Sequence, residues 1–379
     1  MPSLSVWEKE SFFAQKDVII IGSGLAGMWC AYYLKKKKPR LSVTIVDRGI
    51  IPTGASTRNA GFACFGSVTE LLDDTSKMGK EEMLELVEMR YRGLERITQV
   101  LGEKPIGYTM CGGYELIMNE DKNKVKKLED DIHWLNKVLN KITKQNKTFR
   151  FSDKKIDDFG FRNIHHLLEN KLEAHLHSGK LCVALLQKIQ SMGVTVLNGI
   201  EVSAYEKIGD KIAVYTRQDL YLTANRILIC TNAFTKELIP DIDIVPARGQ
   251  ILVTSEIPDL RFRGTFHFDE GFYYFRDLGK RVLLGGARNK AFEEETTTEL
   301  AVTEKIQAEL EDFLRNYILP DTQFEITDRW SGIMAMGSKK MPILEEISDD
   351  VFCAVRMSGM GVALAPVMGE KMARKLAGN

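Results

Sequence analysis

The chain has 379 residues, 44% of them hydrophobic and 27% charged, a globular composition that accommodates one large or two closely joined domains. Lys+Arg and Asp+Glu both number 52, so the net charge lacks the basic excess of a nucleic-acid-binding protein. The 6 cysteines include no CxxC pair and read as small buried hydrophobes in a reducing compartment.

Trp7-Glu8-Lys9-Glu10 precedes any apolar run, which does not fit a signal peptide. Gly22, Gly24 and Gly27 interrupt the run Val18–Leu34, so no membrane insertion is expected. A cytoplasmic location is the expectation.

Asp17–Ile21 is an apolar, β-branched run of the kind buried on both faces of a parallel sheet. A glycine turn follows, then helical apolar spacing over Leu25–Lys38, stopped by Pro39. The lysines at 35–38 read as a solvated run complementing the helix dipole. Leu41–Asp47 is the second strand.

Glu81–Leu101 is an amphipathic helix, Tyr114–Met118 a strand, and Lys122–Lys147 a long Lys-rich helix balanced by Glu129, Asp130 and Asp131. Lys180–Met192 reads as a helix and Val194–Leu197 as a strand. A hairpin of Lys211–Thr216 with Leu220–Leu222 comes next, then a separate strand Arg226–Cys230. Strands dominate from Ile244 to Leu284, and helices are expected over Thr298–Tyr317 and Met360–Leu376. Strand–helix alternation at both ends around a β-rich middle predicts an α/β fold with an inserted α+β portion.

Gly22-Ser23-Gly24-Leu25-Ala26-Gly27 is G-x-G-x-x-G between a strand and a helix, with Asp47 twenty residues beyond Gly27. Gly22 permits the tight turn, Gly24 admits a pyrophosphate to the backbone, and Gly27 allows helix and sheet to pack closely. The helix N-terminus offers N–H groups to the anion, and Asp47 can accept from ribose hydroxyls. This is a dinucleotide site, and the fingerprint alone does not separate FAD from NAD. Thr231-Asn232-Ala233 after one strand and Ser358-Gly359-Met360-Gly361 after another suit a second, extended part of the cofactor, with a helix N-terminus to stabilise the negative charge of a reduced flavin.

Together these segments resemble the D-amino acid oxidase-like superfamily of FAD-dependent oxidoreductases, which includes glycine, sarcosine and γ-glutamylputrescine oxidases. The likeness continues through Gly54–Gly61, Pro246–Ile251 with its Arg-Gly-Gln, Tyr273–Arg276, Val282–Arg288, Trp330–Ile333, Met341–Ile343 and Gly359–Val362. It implies a Rossmann-like FAD-binding domain of residues 1–80, 166–243 and 331–379. An inserted α+β substrate domain of mainly antiparallel sheet would take 81–165 and 244–330.

The implied cofactor contacts are Gly22, Gly24, Leu25, Ala26, Gly27, Asp47 and Arg48 from the first unit. Ser56, Thr57, Arg58, Asn59, Ala60 and Gly61 follow, with Val202, Thr231, Asn232 and Ala233. Gly332, Gly359, Met360, Gly361 and Val362 complete the set. The implied reaction is oxidation of a C–N bond in a small amine or amino acid, with hydride passing to flavin N5 and an imine as product.

Tyr274, Arg276, Arg288 and His267 are the candidate substrate-site residues, and alternation along the strand leaves only one of Tyr273 and Tyr274 facing the flavin. Glycine-oxidase-like members carry a carboxylate-gripping Arg where this chain has Met334, which moves the expected substrate toward an amine. No Cys lies between Trp330 and Phe352, so the FAD is expected to be noncovalent. Val282, Leu283 and Leu284 replace the oxygen-activating Lys of sarcosine oxidases, which opens the alternative of a dehydrogenase with another electron acceptor. Lys280 and Lys290, flanking that strand, keep an oxidase open. An NAD-dependent dehydrogenase, or a flavoprotein whose Lys122–Lys155 region docks RNA or a protein partner, are the remaining alternatives. His165, His166, His175 and His177 lack metal-ligand spacing, and no metal is expected.

Overall fold

The computed structural model describes residues 4–118 and 122–378. The β-branched run near the N-terminus forms the strand Lys16–Ile21, with Val18–Ile21 buried. It pairs in parallel with Val43–Asp47 on one side and Tyr221–Ile229 on the other. Thr195–Asn198 extends the sheet beyond Val43–Asp47. The hairpin of Val202–Ile208 and Lys211–Thr216 extends it past Tyr221–Ile229. Val351–Val355 also pairs in parallel with Tyr221–Ile229 and carries Ile343–Ser348.

Leu220–Leu222 and Arg226–Cys230, expected as separate strands, are thus one strand. Its exposed residue Asn225 is held at the sheet end by a hydrogen bond from Gln15 (2.8 Å).

Helices Leu25–Lys37, Ser178–Ser191 and Gly361–Leu376 cover one face of this sheet and share a core around Trp29, Leu185 and Met368. Of the terminal lysines, Lys36, Lys37 and Lys38 are exposed as expected, but Lys35 is buried. Its ammonium donates to the carbonyl oxygens of Pro39 (2.6 Å) and Leu41 (2.9 Å), satisfying the chain where it leaves the helix.

The second sheet has eight strands in the order Ile326–Met336, Val245–Thr254, Arg281–Gly286, Tyr273–Leu278, Thr265–Phe268, Gly113–Ile117, His166–Asn170, Phe149–Phe151. Every pairing is antiparallel except that of Thr265–Phe268 with Gly113–Ile117. The Rossmann-like sheet with an inserted, mainly antiparallel one is the architecture expected. His166–Asn170 and the whole of Ile326–Met336 belong to the second sheet, beyond the borders drawn from sequence at 165/166 and 330/331. Edge-to-edge hydrogen bonding, which the sequence pattern does not reveal, assigns them there.

Lys122–Thr143 is a helix whose Ile132, Leu135, Leu139 and Ile142 pack against Met83 and Val87 of the helix Lys80–Leu101. The helix expected over Thr298–Tyr317 spans Glu304–Phe313, followed by a π turn at Leu314–Ile318. Thr303, bonded through its N–H to Gln250 (2.9 Å), fixes the later start. No helix among the described residues is long and apolar enough to cross a membrane.

Candidate functional site

The first βα turn is built by close backbone approach. Gly22 has φ +109°, and a Cβ there would lie 2.6 Å from the Cys230 carbonyl oxygen. A Cβ on Gly27 would lie 2.1 Å from the Gly22 oxygen and 3.1 Å from Ile20 Cγ2. Only glycine lets the helix Leu25–Lys37 start this near the strand. Gly24 caps that helix without a side-chain hydrogen bond.

Asp47, at the end of the next strand, accepts at Oδ2 from the Ser23 N–H and hydroxyl (both 2.7 Å) and at Oδ1 from the Gly49 N–H (2.8 Å). Its carboxylate is thus held at the cleft edge, with lone pairs to spare.

From this turn a cleft of about 510 Å³ runs between the two sheets. Gly22, Gly24, Leu25, Ala26, Asp47 and Arg48 line one end. Ser56, Arg58, Asn59, Ala60, Val202, Thr231, Asn232, Gly332, Gly359, Met360, Gly361 and Val362 line its length. Gly361–Leu376 starts at the cleft, and its N-cap Met360 makes no side-chain cap bond. Asn232 and Ser358, on the same wall, hold positive φ (49° and 46°) although they are not glycine. Such local strain concentrates at ligand sites.

Four of the expected cofactor residues lie behind this surface. Gly27 packs the helix, and Thr57 donates its hydroxyl to the Pro52 oxygen (2.7 Å). Gly61, at φ +75°, sits where a Cβ would meet the Leu176 oxygen at 2.2 Å. Ala233 belongs to the hydrophobic core.

The second sheet roofs the cleft. Phe62, Ile251, His267, Tyr274, Met334 and Arg288 face it. Tyr274 and His267 are cross-strand partners, and Phe62 sets its ring edge-on to both, with centroids 5.9 and 5.3 Å away. Burial pushes the Tyr274 hydroxyl up to about 12, so it stays protonated. Tyr273 points the other way, packing on Phe313 and donating to Glu309 (2.6 Å). One tyrosine of the pair faces the cleft, as strand alternation requires.

Arg288 lies over the Phe292 ring, 4.6 Å from its centroid. Arg276, expected at the substrate site, is not on the cleft wall. It pairs across the strand with Thr265, and its Nε and Nη1 have no hydrogen-bond partner among the described residues. Burial lowers its pKa, against the pull of Asp277 and Cys111.

Several charged groups at the roof carry no sequence signature. His267 Nε2 lies 2.9 Å from Glu173 Oε2, which also accepts from the Thr265 hydroxyl (2.9 Å). Burial alone would lower the His267 pKa, but the carboxylates of Glu173, Glu115 and Glu70 outweigh it and raise it. Cys64 lies beside this pair, and the three ligand atoms fall within 4.8 Å of one another. Burial, then Glu173 and Glu70, hold the Cys64 thiol well above its usual range, in the protonated form.

A raised folded-state pKa gives His267 a stabilising effect that is complete below its unfolded value near 6.5 and fades as pH rises through the folded value. The loss of melting temperature in His267→Gln should therefore be larger at pH 6 than at pH 9. A pH-independent difference between the two proteins would refute the ion pair.

A Rossmann-like sheet, a glycine turn with a following acid, and a long cleft roofed by a second sheet define a dinucleotide-binding protein with an enclosed site at one end. Residues 17–375 match the family described as FAD dependent oxidoreductase, and the chain belongs to that family.

It is 26% identical over 241 residues to the bifunctional protein ThiO/ThiG of Synechocystis sp., covering 62% of this chain and 32% of that protein. The chain thus spans about a third of that relative's length. Among solved structures, iminodiacetate oxidase from Chelativorans sp. superposes with a TM-score of 0.77 at 21% identity, covering 96% of this chain and 95% of that one. Glycine oxidase from Geobacillus kaustophilus gives 0.76 at 18% identity, with 95% of each chain covered. Both show the same fold.

The residues present fit FAD. Gly22 and Gly24 leave the cradle open, two helix N-termini meet the cleft, that of Gly361–Leu376 without a side-chain cap and that of Leu25–Lys37 with its Leu25 N–H donating to the Ser56 hydroxyl (2.9 Å), and the cleft continues to an aromatic roof.

Proposed function

We propose that the chain binds FAD noncovalently and oxidises the C–N bond of a small amine or amino acid to an imine. The observation that carries this reading is the continuity of one cleft from the glycine turn to the roof of Phe62, His267 and Tyr274. The flavin supplies a hydride acceptor at N5, and the protein supplies position, exclusion of water and control of charge. Phe62, Ile251 and Met334 give the substrate carbon an apolar enclosure. Tyr274, kept protonated, is a hydrogen-bond donor in the roof. Arg58, which donates to the oxygens of Thr53 (2.9 Å) and Ser331 (3.0 Å), would steady the segment against which the ring lies.

Purified protein is expected to be yellow and to release FAD on acid treatment. Anaerobic mixing with primary and secondary amines and amino acids should bleach the visible flavin band for a true substrate. A panel in which none bleaches it overturns the reading.

Passage of electrons to an acceptor other than oxygen is supported by the interior of the strand Arg281–Gly286, where Val282, Leu283 and Leu284 are apolar and Leu283 packs with Ala60 and Ile251. Lys280 and Lys290, the flanking lysines on which an oxidase would draw, are both exposed, Lys290 3.6 Å from Glu309. Oxygen consumption measured with a bleaching substrate separates oxidase from dehydrogenase.

A further inference from the structure

The cleft wall formed by the helix Val68–Met78 and the loop before Ile343–Ser348 carries a compact group of charges. Glu70 and Lys340 both line the cleft, with side chains 14% and 29% exposed, while their partners Arg90 and Asp74 are each about 1% exposed behind them. Lys340 Nζ forms an ion pair with Asp74 and lies 3.8 Å from Glu70 Oε1. Arg90 Nη1 donates to the same Glu70 oxygen at 3.1 Å. A buried partner therefore anchors each cleft-facing charge, and one ammonium and one carboxylate are presented side by side.

The cluster is balanced, two cations against two carboxylates, and its cleft-facing ammonium and carboxylate keep donor and acceptor capacity for a ligand that carries both charges. Met334 supplies no cation from the roof above, Arg276 lies off the cleft wall, Arg288 is stacked over the Phe292 ring, and His267 is paired with Glu173.

We propose that Lys340 and Glu70 are the specificity-determining pair of the cleft, Lys340 receiving the carboxylate and Glu70 the ammonium of a zwitterionic substrate. The inference rests on the reading of the cleft as an amine or amino-acid site, and it selects the amino acid over the simple amine that Met334 alone would favour.

Titration of the oxidised holoprotein with propionate, followed by flavin absorbance and by calorimetry, tests it without turnover. Propionate should bind saturably. Lys340→Met should weaken it at least tenfold with FAD content unchanged, and Lys340→Arg should restore affinity to within about threefold, because a guanidinium grips a carboxylate equally well. Glu70→Gln should spare propionate and weaken propylamine about tenfold. No saturable propionate binding to the unaltered protein, or equal affinity in Lys340→Met, overturns the proposal. Should no compound of the bleaching panel reduce the flavin, the C–N reading fails, while the propionate titration still decides the role of Lys340.

Discussion

Replacing Glu295 by alanine is expected to lower the unfolding free energy by ~3–5 kcal/mol, the range for stripping a buried cation of its partner. Arg248 and Glu295 are 5% and 1% exposed. Arg248 Nε and Nη2 donate to the two Glu295 oxygens at 2.9 and 2.8 Å, a bidentate pair. Gln250 Nε2 lies 3.0 Å from each of the same oxygens. Glu295 thus ties together alternate residues on one face of Val245–Thr254, a strand bonded on both sides within the second sheet.

Chemical denaturation measures the effect. Burial would raise the Glu295 pKa, but Arg248 and Gln250 lower it overall. Its contribution is therefore complete above the unfolded value of about 4.5 and fades as pH falls through the lower, folded value. The gap between the two proteins should narrow in that acid range. A change below ~1 kcal/mol at neutral pH, the level of an exposed pair, would refute the buried-pair account.

Gly27→Val is expected to abolish stable FAD binding, weakening it on the order of a hundredfold or more, about 3 kcal/mol. The new Cβ would meet the Gly22 oxygen at 2.1 Å. The helix must then retreat from the turn, withdrawing its N-terminal N–H groups from the pyrophosphate position. Flavin content after purification, and reconstitution of apoprotein followed by fluorescence quenching, give the readout. Full flavin occupancy in Gly27→Val would contradict the assigned close contact.

The parts of this site that are read from sequence are those set by local backbone geometry. A glycine turn, the acid closing the next strand and the alternation of Tyr273 and Tyr274 each state their geometry within a few residues. Arg276 shows the limit. It shares a strand face with Tyr274, but the cleft ends before reaching it, and the length of a cavity is not encoded in strand periodicity.

Glu70, Lys340, Cys64 and Glu173 show the converse. They come from a helix's first turn, a polar loop, a short strand's end and a turn, far apart in sequence; the pairing of Gly113–Ile117 with both Thr265–Phe268 and His166–Asn170, for one, brings the Glu173 turn to His267. The lysine run at 35–38 was legible as a helix end but not as a structural bond, because Lys35 folds its stem back on the loop beyond.

The strand Ile326–Met336 also constrains how material enters and leaves. It pairs along Val245–Thr254, yet its Ile333 and Ala335 lie in the core beneath the first sheet. Trp330 Nε1 donates to the Arg58 oxygen at 2.9 Å, while Arg58 donates back to Ser331. One unbroken strand therefore rivets roof to floor. Swinging the sheets apart would have to pull Ile333 and Ala335 out of that core or strip their strand from Val245–Thr254. Traffic is left to the rim, where Glu270–Phe272, Arg288 and Leu300 border the cleft. Exchange of small molecules should accordingly respond to substitutions in those rim segments, and the spacing between flavin and roof should stay constant through the catalytic cycle.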